Sequence, residues 1–342
     1  KASRRQWLVR LGAGCLGHAL AWPVLAAAEL RPVTVAMTAR NSLYHLPLVL
    51  ADRLGYFRQQ GLQVNLLAHE SGAAGVVSVL QGRADVLAGA FEHVFEFQRK
   101  GHAVQAFAQM NATPMVSLGV SSGKLNQGQW PALRGARIGV SALDSSTHWM
   151  ACQWLLHHGL LPEDVVFVEV GTSVGAQEAL RTGAIDALCN PDPVMYWLEQ
   201  KNEIRLLGDA RSMTATRKVM AGDVPGACLL ARTEFLQRQP EVAQALSDGV
   251  VHALKWLQTA GLTDILKTVP SHHWLGDRAI YLGAFEKLRE SYAVDGLFAA
   301  EPVANSWRAH SRLLGYGPMN RQALERLYTN SFAGKSKSRF AA

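Results

Sequence analysis

No two cysteines in this 342-residue chain have CxxC spacing, so the sequence offers no recognisable zinc motif. Cys15 lies near the N-terminus. Cys152, Cys189 and Cys228 are far apart in apolar stretches, where cysteine behaves as a small buried hydrophobe. The adjacent pairs His157-His158 and His272-His273 point in different directions on a helix and make poor chelates. A Gly-rich phosphate loop and a Ser-His-acid motif are both absent, so no sequence motif for nucleotide or acyl chemistry is present, and neither metal nor cofactor is expected. No apolar run after residue 28 is long enough to span a bilayer. Charged residues make up only 18% of the chain. The net charge of +7 lies at the ends. Lys1, Arg4, Arg5 and Arg10 precede residue 29, and Lys335, Lys337 and Arg339 follow residue 332. Residues 29–332 therefore sum to zero. A core without excess basic charge does not suit a nucleic-acid partner.

The N-terminal stretch has its own pattern. Ser3-Arg4-Arg5-Gln6-Trp7-Leu8 is similar to a twin-arginine export signal with Trp7 in place of the usual Phe. An apolar run from Leu11 to Leu25 and the small residues Ala26-Ala27-Ala28 follow, so residues 1–28 read as a signal cleaved near Ala28, with release into the periplasm. Once Cys15 leaves with it, three cysteines remain in an oxidising compartment, and at least one is a free thiol.

The main positive feature is a unit that occurs twice. Its first copy runs from Ser71-Gly72 through an apolar helical stretch to Gly82 and then to Asp85-Val86-Leu87-Ala88-Gly89-Ala90-Phe91-Glu92. Its second runs from Thr172-Ser173 through Ala176, Ala179 and Leu180 to Gly183 and then to Asp186-Ala187-Leu188-Cys189-Asn190-Pro191-Asp192. Each is a hydroxyl-bearing helix start, a helix closed by Gly, and a buried strand led by Asp. Strands expected at 33–37, 62–67, 104–110, 115–120, 136–140, 165–170 and 227–231 alternate with helices over much of the chain. The fold class is α/β, with two lobes that each hold a mostly parallel sheet flanked by helices. The expected division is 29–112 with 233–332 for lobe 1, 113–232 for lobe 2, and a frayed tail at 333–342. Chain crossings near 110–120 and 231 form the expected hinge.

The order of motifs resembles one family. Leu46-Pro47-Leu48-Val49-Leu50-Ala51 to Gly55-Tyr56-Phe57, with Gly61-Leu62 before a strand, looks like the opening of the sulfonate, nitrate, taurine and thiamine-pyrimidine (NMT1/THI5-like) binding proteins. Gln81-Gly82-Arg83-Ala84-Asp85 and Arg181-Thr182-Gly183-Ala184-Ile185-Asp186 are both similar to its x-G-x-x-D element, Asp192-Pro193 to its DP, and Asp144-Ser145-Ser146-Thr147 to its second-lobe helix start. The resemblance covers nearly all of residues 30–330. It implies the two-lobed type II periplasmic binding protein fold, a monomeric receptor without enzymatic activity, a small-molecule ligand, and an ABC permease in the inner membrane as partner. Two other readings stay open: binding or synthesis of a thiamine-pyrimidine precursor, and ligand sensing for a membrane signalling partner. The yeast synthases of the family add a cysteine-rich motif that Cys152, Cys189 and Cys228 do not reproduce.

Candidate ligand residues follow from both lines. Ser71, Gly72, Ser145, Ser146, Thr147 and Thr172 stand at helix starts, where unpaired N–H donors and partial positive charge favour an anion, although plain N-capping uses the same residue types. Asn41, Tyr44 and His45 lie on the loop after the first strand, where ligands of open α/β sheets collect. Phe91 with Glu92, and Asn190 with Asp192, end the repeated strands. Trp149 stands one turn into its helix and can stack on a planar ligand or fill the core. The helix starts point to a sulfonate or carboxylate, while carboxylates at 92 and 192 would repel a bare anion and accept from an amine or aminopyrimidine.

Overall fold

A computed structural model describes residues 29–38, 40–123 and 129–342 of the chain. The expected export signal, with Cys15 and the cleavage site, lies outside the described residues. No helix among the described residues is long and apolar enough to cross a membrane.

Among the described residues, ten strands form two five-stranded sheets. The first contains β1 (Arg31–Met37), β2 (Leu62–Ala68), β3 (Val86–Ala90), β4 (Val104–Gln109) and β10 (Ala227–Arg232), in the order β2-β1-β3-β10-β4. The second contains β5 (Val116–Ser121), β6 (Arg137–Val140), β7 (Val166–Glu169), β8 (Ala187–Pro191) and β9 (Ile204–Asp209), in the order β7-β6-β8-β5-β9. β1 pairs in parallel with β2 and β3, and β6 does the same with β7 and β8. β10 and β5 run antiparallel to both of their neighbours. Four strands of each sheet thus point one way and one points back. In each sheet the reversed strand is the first one laid down after the chain crosses between lobes.

That pattern corrects the expected boundary at residue 232. β10 belongs to lobe 1, where it fills the slot between β3 and β4. Residues 227–231 are buried throughout, as a central strand covered on both faces requires. β9 was not anticipated, because its burial is partial and Arg205 interrupts its apolar pattern.

The tail is also corrected. Residues 333–342 are not frayed, since Ser331–Phe340 forms a helix against the long Pro240–Thr259 helix. The Ser336 hydroxyl donates to Asp248 (2.7 Å), and Arg339 bonds the same carboxylate (2.7 Å). A polar, basic segment reads as solvated until a buried acid is found for it. Of the two histidine pairs, His273 proves buried, whereas His157 and His158 are exposed.

Hydrophobic side chains cover both faces of both sheets. Lobe 1 has the larger core, because the Pro240–Thr259 and Arg278–Leu288 helices add Val250, Leu254, Tyr281 and Phe285 to it. The Ala300–Leu314 helix bridges the lobes: its Ala309 carbonyl accepts from Gln153 of lobe 2 (2.9 Å).

The repeated Asp has a structural role. Asp85 accepts from the Thr34 backbone N–H on β1 (2.8 Å), and Asp186 accepts from that of Arg137 on β6 (2.9 Å). In return the Asp85 and Asp186 amides donate to the Thr34 and Arg137 carbonyls (2.9 and 2.8 Å). Each Asp therefore pins the entry of a repeated strand to its parallel neighbour and fixes its register. Gly82 and Gly183 turn the chain into that Asp at φ of 70° and 75°, a region that other residues avoid.

Candidate functional site

The carboxyl ends of β1, β3, β6 and β8 all face the crevice between the lobes, and a small cavity lies there. It encloses about 30 Å³ and is lined from lobe 1 by Thr38, Ser42, Tyr44, His45, Gly72, Gly89, Ala90 and His93. Val116, Ser141, Ser145, Ser146, Thr147, Thr172 and Pro191 line it from lobe 2. The volume admits about two waters. The lobes are shut on each other, since the Leu43 amide of lobe 1 donates to the Asp192 carbonyl of lobe 2 (3.1 Å).

Two helix starts meet at this cavity. The Gly72–Leu80 helix is capped by Ser71, whose hydroxyl accepts from the Ala74 amide (3.2 Å). Ser71 spends its side chain on the cap and stands outside the lining, while Gly72 presents bare backbone to the cavity. A Cβ at Gly72 would overlap His93 Nε2, so only glycine allows the imidazole this approach. The Ser146–His157 helix is capped by Ser145. The hydroxyls of Ser141, Ser145 and Thr147 form a closed triangle with edges of 2.9, 2.8 and 2.8 Å, and Thr147 Oγ1 also accepts from the Ser141 amide (2.8 Å). Ser146 is half-buried beside them. Thr172 arrives on the loop before a third helix, Val174–Arg181. Asn190 holds that loop by donating to the Gly171 carbonyl (2.9 Å).

Two histidines face the hydroxyls. His45 is fully buried; its Nε2 lies 2.6 Å from Thr38 Oγ1, and its Nδ1 has no partner. Burial pulls its pKa down to about 3, so it is neutral at physiological pH. His93 Nδ1 lies 3.3 Å from Glu96 Oε2, and Lys100 pairs with the other oxygen of the same carboxylate (2.8 Å). Burial pushes the Glu96 carboxyl up, but the bonds and charges of His93 and Lys100 outweigh it and leave the pKa below its ordinary value.

Of the expected residues, Tyr44, His45, Gly72, Ser145, Ser146, Thr147 and Thr172 line the cavity, whereas Asn41, Ser71, Phe91, Glu92, Trp149, Asn190 and Asp192 do not. Phe91 turns to the opposite face of its sheet and packs on Phe95 and Phe298. Glu92 is half-buried outside the lining, and burial raises its pKa. Asp192 faces Arg211 (3.4 Å) and accepts from the Tyr196 amide (2.7 Å). Arg211 is 1% exposed and also binds Asp209 (2.9 Å) and Glu199 (3.1 Å). Asn41 stands half-buried before Ser42, whose hydroxyl accepts from the Tyr44 amide (3.2 Å). Trp149 lies behind His93, with ring centroids 5.2 Å apart.

Neither suspect carboxylate lines the cavity; Glu92 stands close to the lining Tyr44, whose pKa burial and then the Glu92 charge push up. Thr38, Ser42, Ser141 and His93 were missed. Ser42 and Ser141 are ordinary loop hydroxyls in sequence, and His93 is hidden beside the more conspicuous Glu92. The three described cysteines are buried free thiols, and none lines the cavity. No cluster of three or more metal-ligating side chains occurs among the described residues.

Residues 42–259 match the family model described as NMT1/THI5 like. The chain belongs to the NMT1/THI5-like family. A solved protein of Bordetella bronchiseptica RB50 is 35% identical, with a TM-score of 0.87 over 92% of this chain and 99% of that one. The protein YtlA of Bacillus subtilis (strain 168) is 22% identical over 88% of both chains. The 4-amino-5-hydroxymethyl-2-methylpyrimidine phosphate synthase THI12 of Saccharomyces cerevisiae is 21% identical over 83% of this chain and 82% of its own. The fold is that of the two-lobed periplasmic binding proteins. The nitrate-binding protein NrtA from Synechocystis PCC 6803 shares it at 10% identity and a TM-score of 0.73, over 91% of this chain and 89% of that one. The alkanesulfonate-binding protein SsuA from Xanthomonas axonopodis pv. citri, bound to MOPS, shares it at 16% identity and a TM-score of 0.66, over 89% of this chain and all of that one.

Proposed function

We propose that this family member is an exported solute receptor of an ABC importer, and that it captures a small organic anion, sulfonate- or carboxylate-like, between its lobes. One observation carries the reading. The helix starts at Gly72 and Ser146, with the Thr172 loop, converge on one cavity that no carboxylate lines. Helix N-termini supply N–H donors and partial positive charge, and the Ser146 hydroxyl can donate to the same oxygens. The cavity also lacks Arg and Lys. A bound acid would keep its charge while the lobes close over it by hinge motion, and the closed form would dock on a permease. The likeness to nitrate- and sulfonate-binding proteins supports the same chemistry.

The relatives named as pyrimidine phosphate synthases favour a second reading, capture or turnover of a thiamine-pyrimidine precursor. The two readings separate in a thermal-shift screen of the purified protein against sulfonates, carboxylates and aminopyrimidines, followed by an assay for product or self-modification. The receptor reading expects stabilisation by acids and no turnover. Ser146→Trp should abolish that stabilisation and leave the unliganded melting temperature nearly unchanged, because Ser146 is half-buried and its side chain holds nothing else. Normal acid binding by this variant would falsify the assignment of the cavity.

A further inference from the structure

The cavity at the helix starts has room for an acid head group and little more, so any organic ligand must place its remainder elsewhere. A second chamber of about 340 Å³ lies next to it, lined by Phe95, Glu96, Arg99, Asp144, Trp149, His310, Leu314 and Tyr316. That is the volume of an ordinary small-molecule pocket. It too lies between the lobes: Phe95, Glu96 and Arg99 come from lobe 1, Asp144 and Trp149 from lobe 2, and the rest from or just after the bridging Ala300–Leu314 helix.

The wall between the chambers is thin and specific. His93 borders the small cavity on one side and, on the other, packs against Trp149 of the large chamber, at 5.2 Å between ring centroids. Glu96, which holds His93 at 3.3 Å, faces the large chamber. Within that chamber the rings of Trp149 and Phe95 stand 4.7 and 5.0 Å from that of His310. His310 is 5% exposed, and its Nε2 has no hydrogen-bond partner. A buried nitrogen left unpaired beside an aromatic box is a cost that a ligand bond would remove.

We propose that the two chambers are one site, with the acid group of the ligand at the helix starts and a planar aromatic body in the large chamber against Trp149, Phe95 and His310, after the His93 ring has turned aside. This rests on the anion reading above and narrows its ligand to aromatic sulfonates or carboxylates.

Titration calorimetry with methanesulfonate and naphthalene-2-sulfonate tests it on the mature protein. The aromatic acid should bind at least about tenfold more tightly, since it buries a ring that the small acid lacks. Leu314→Trp places a bulky side chain in the large chamber from a position that is 44% exposed, so the fold should tolerate it. It should bring naphthalene-2-sulfonate down to the level of methanesulfonate and leave methanesulfonate unchanged. His310→Phe, a second variant of similar shape, should weaken a naphthalene-2-sulfonate carrying a ring hydroxyl more than the parent compound. Equal affinity of the two acids for the wild-type chain, or naphthalene-2-sulfonate binding untouched by Leu314→Trp, would overturn the two-chamber site while leaving the anion receptor standing. Failure of both acids and of the matching carboxylates to bind would overturn the two together.

Discussion

Lobe 1 and lobe 2 share a strand order and pin their repeated strands with equivalent aspartates, Asp85 and Asp186, yet they bring different chemistry to the cavity. Lobe 1 contributes bulk and ring nitrogens through Tyr44, His45 and His93. Lobe 2 contributes small hydroxyls through Ser141, Ser145, Ser146 and Thr147. The repeated Asp and strand build the scaffold, the helix starts that open each copy reach the cavity at Gly72 and Thr172, and the residues that differ between the lobes set its chemistry. A sequence repeat in such a fold therefore marks both the architecture and the crevice, and selectivity has to be sought where the two copies diverge.

Acid should separate the lobes most strongly. His45 and His310 are buried with pKa values lowered to about 3, and His273 to about 4, chiefly by desolvation. His45 lies in lobe 1, His273 on the C-terminal segment packed against it, and His310 on the helix that bridges the lobes. A base with a depressed folded pKa binds its proton first in the unfolded chain. Its contribution is complete above about pH 6.5 and is lost as pH falls towards 4 and then 3. Each such histidine contributes a slope of about 1.4 kcal/mol per pH unit within that window, so several kcal/mol disappear by pH 4.5. Asp192 and Glu92, whose pKa values burial raises, work in the opposite direction as they protonate. Urea midpoints should fall between pH 6.5 and 4.5, with amide exchange in β1–β4 rising before that in β5–β9. A flat midpoint, or lobe 2 opening first, would break the contrast.

Arg211 gives the next largest effect, and on the other lobe. Its guanidinium neutralises buried Asp192, so Arg211→Met leaves an uncompensated carboxylate and should cost about 3–5 kcal/mol in chemical denaturation.

Removing the shared aspartates sharpens the comparison directly. Asp85→Ala and Asp186→Ala should each cost about 1–3 kcal/mol by stranding a strand-entry amide. The lobe 2 change should be the larger, since Asp186 also binds the Arg137 side chain at 2.9 Å. Neither should alter which ligand binds. A change in ligand preference in either variant would show that these aspartates act on the site as well as on the scaffold.

Arg339→Ala should have the smallest effect, about 0.5–1 kcal/mol, because its side chain is 58% exposed and Asp248 keeps Ser336 and Gln244 as partners. Faster amide exchange confined to Ser331–Phe340 would be the expected sign.

Much of this was legible in sequence. The apolar runs led by Asp85 and Asp186 mark buried strands, and the hydroxyls at 71, 145–147 and 172 mark helix starts, because capping is a local property. Long-range partners were not legible. Nothing near Asp192 in sequence announces Arg211, so a paired buried acid looked like a ligand residue. Trp149 carries no local mark of the face it presents, and its neighbours His93 and His310 come from distant helices. The strand at 227–231 reads correctly as a strand, but its lobe depends on a vacancy between β3 and β4 that only the fold defines. The basic tail looked solvated because its anchor, Asp248, lies some ninety residues earlier.

The central claim is that helix starts from both lobes hold one anion. Amide NMR of the isotopically labelled protein during a methanesulfonate titration tests it most directly. The Gly72, Ser146 and Thr172 amides should shift together and saturate with a single dissociation constant. Shifts confined to one lobe, or amides at these three positions that stay still while the protein binds the acid, would contradict it.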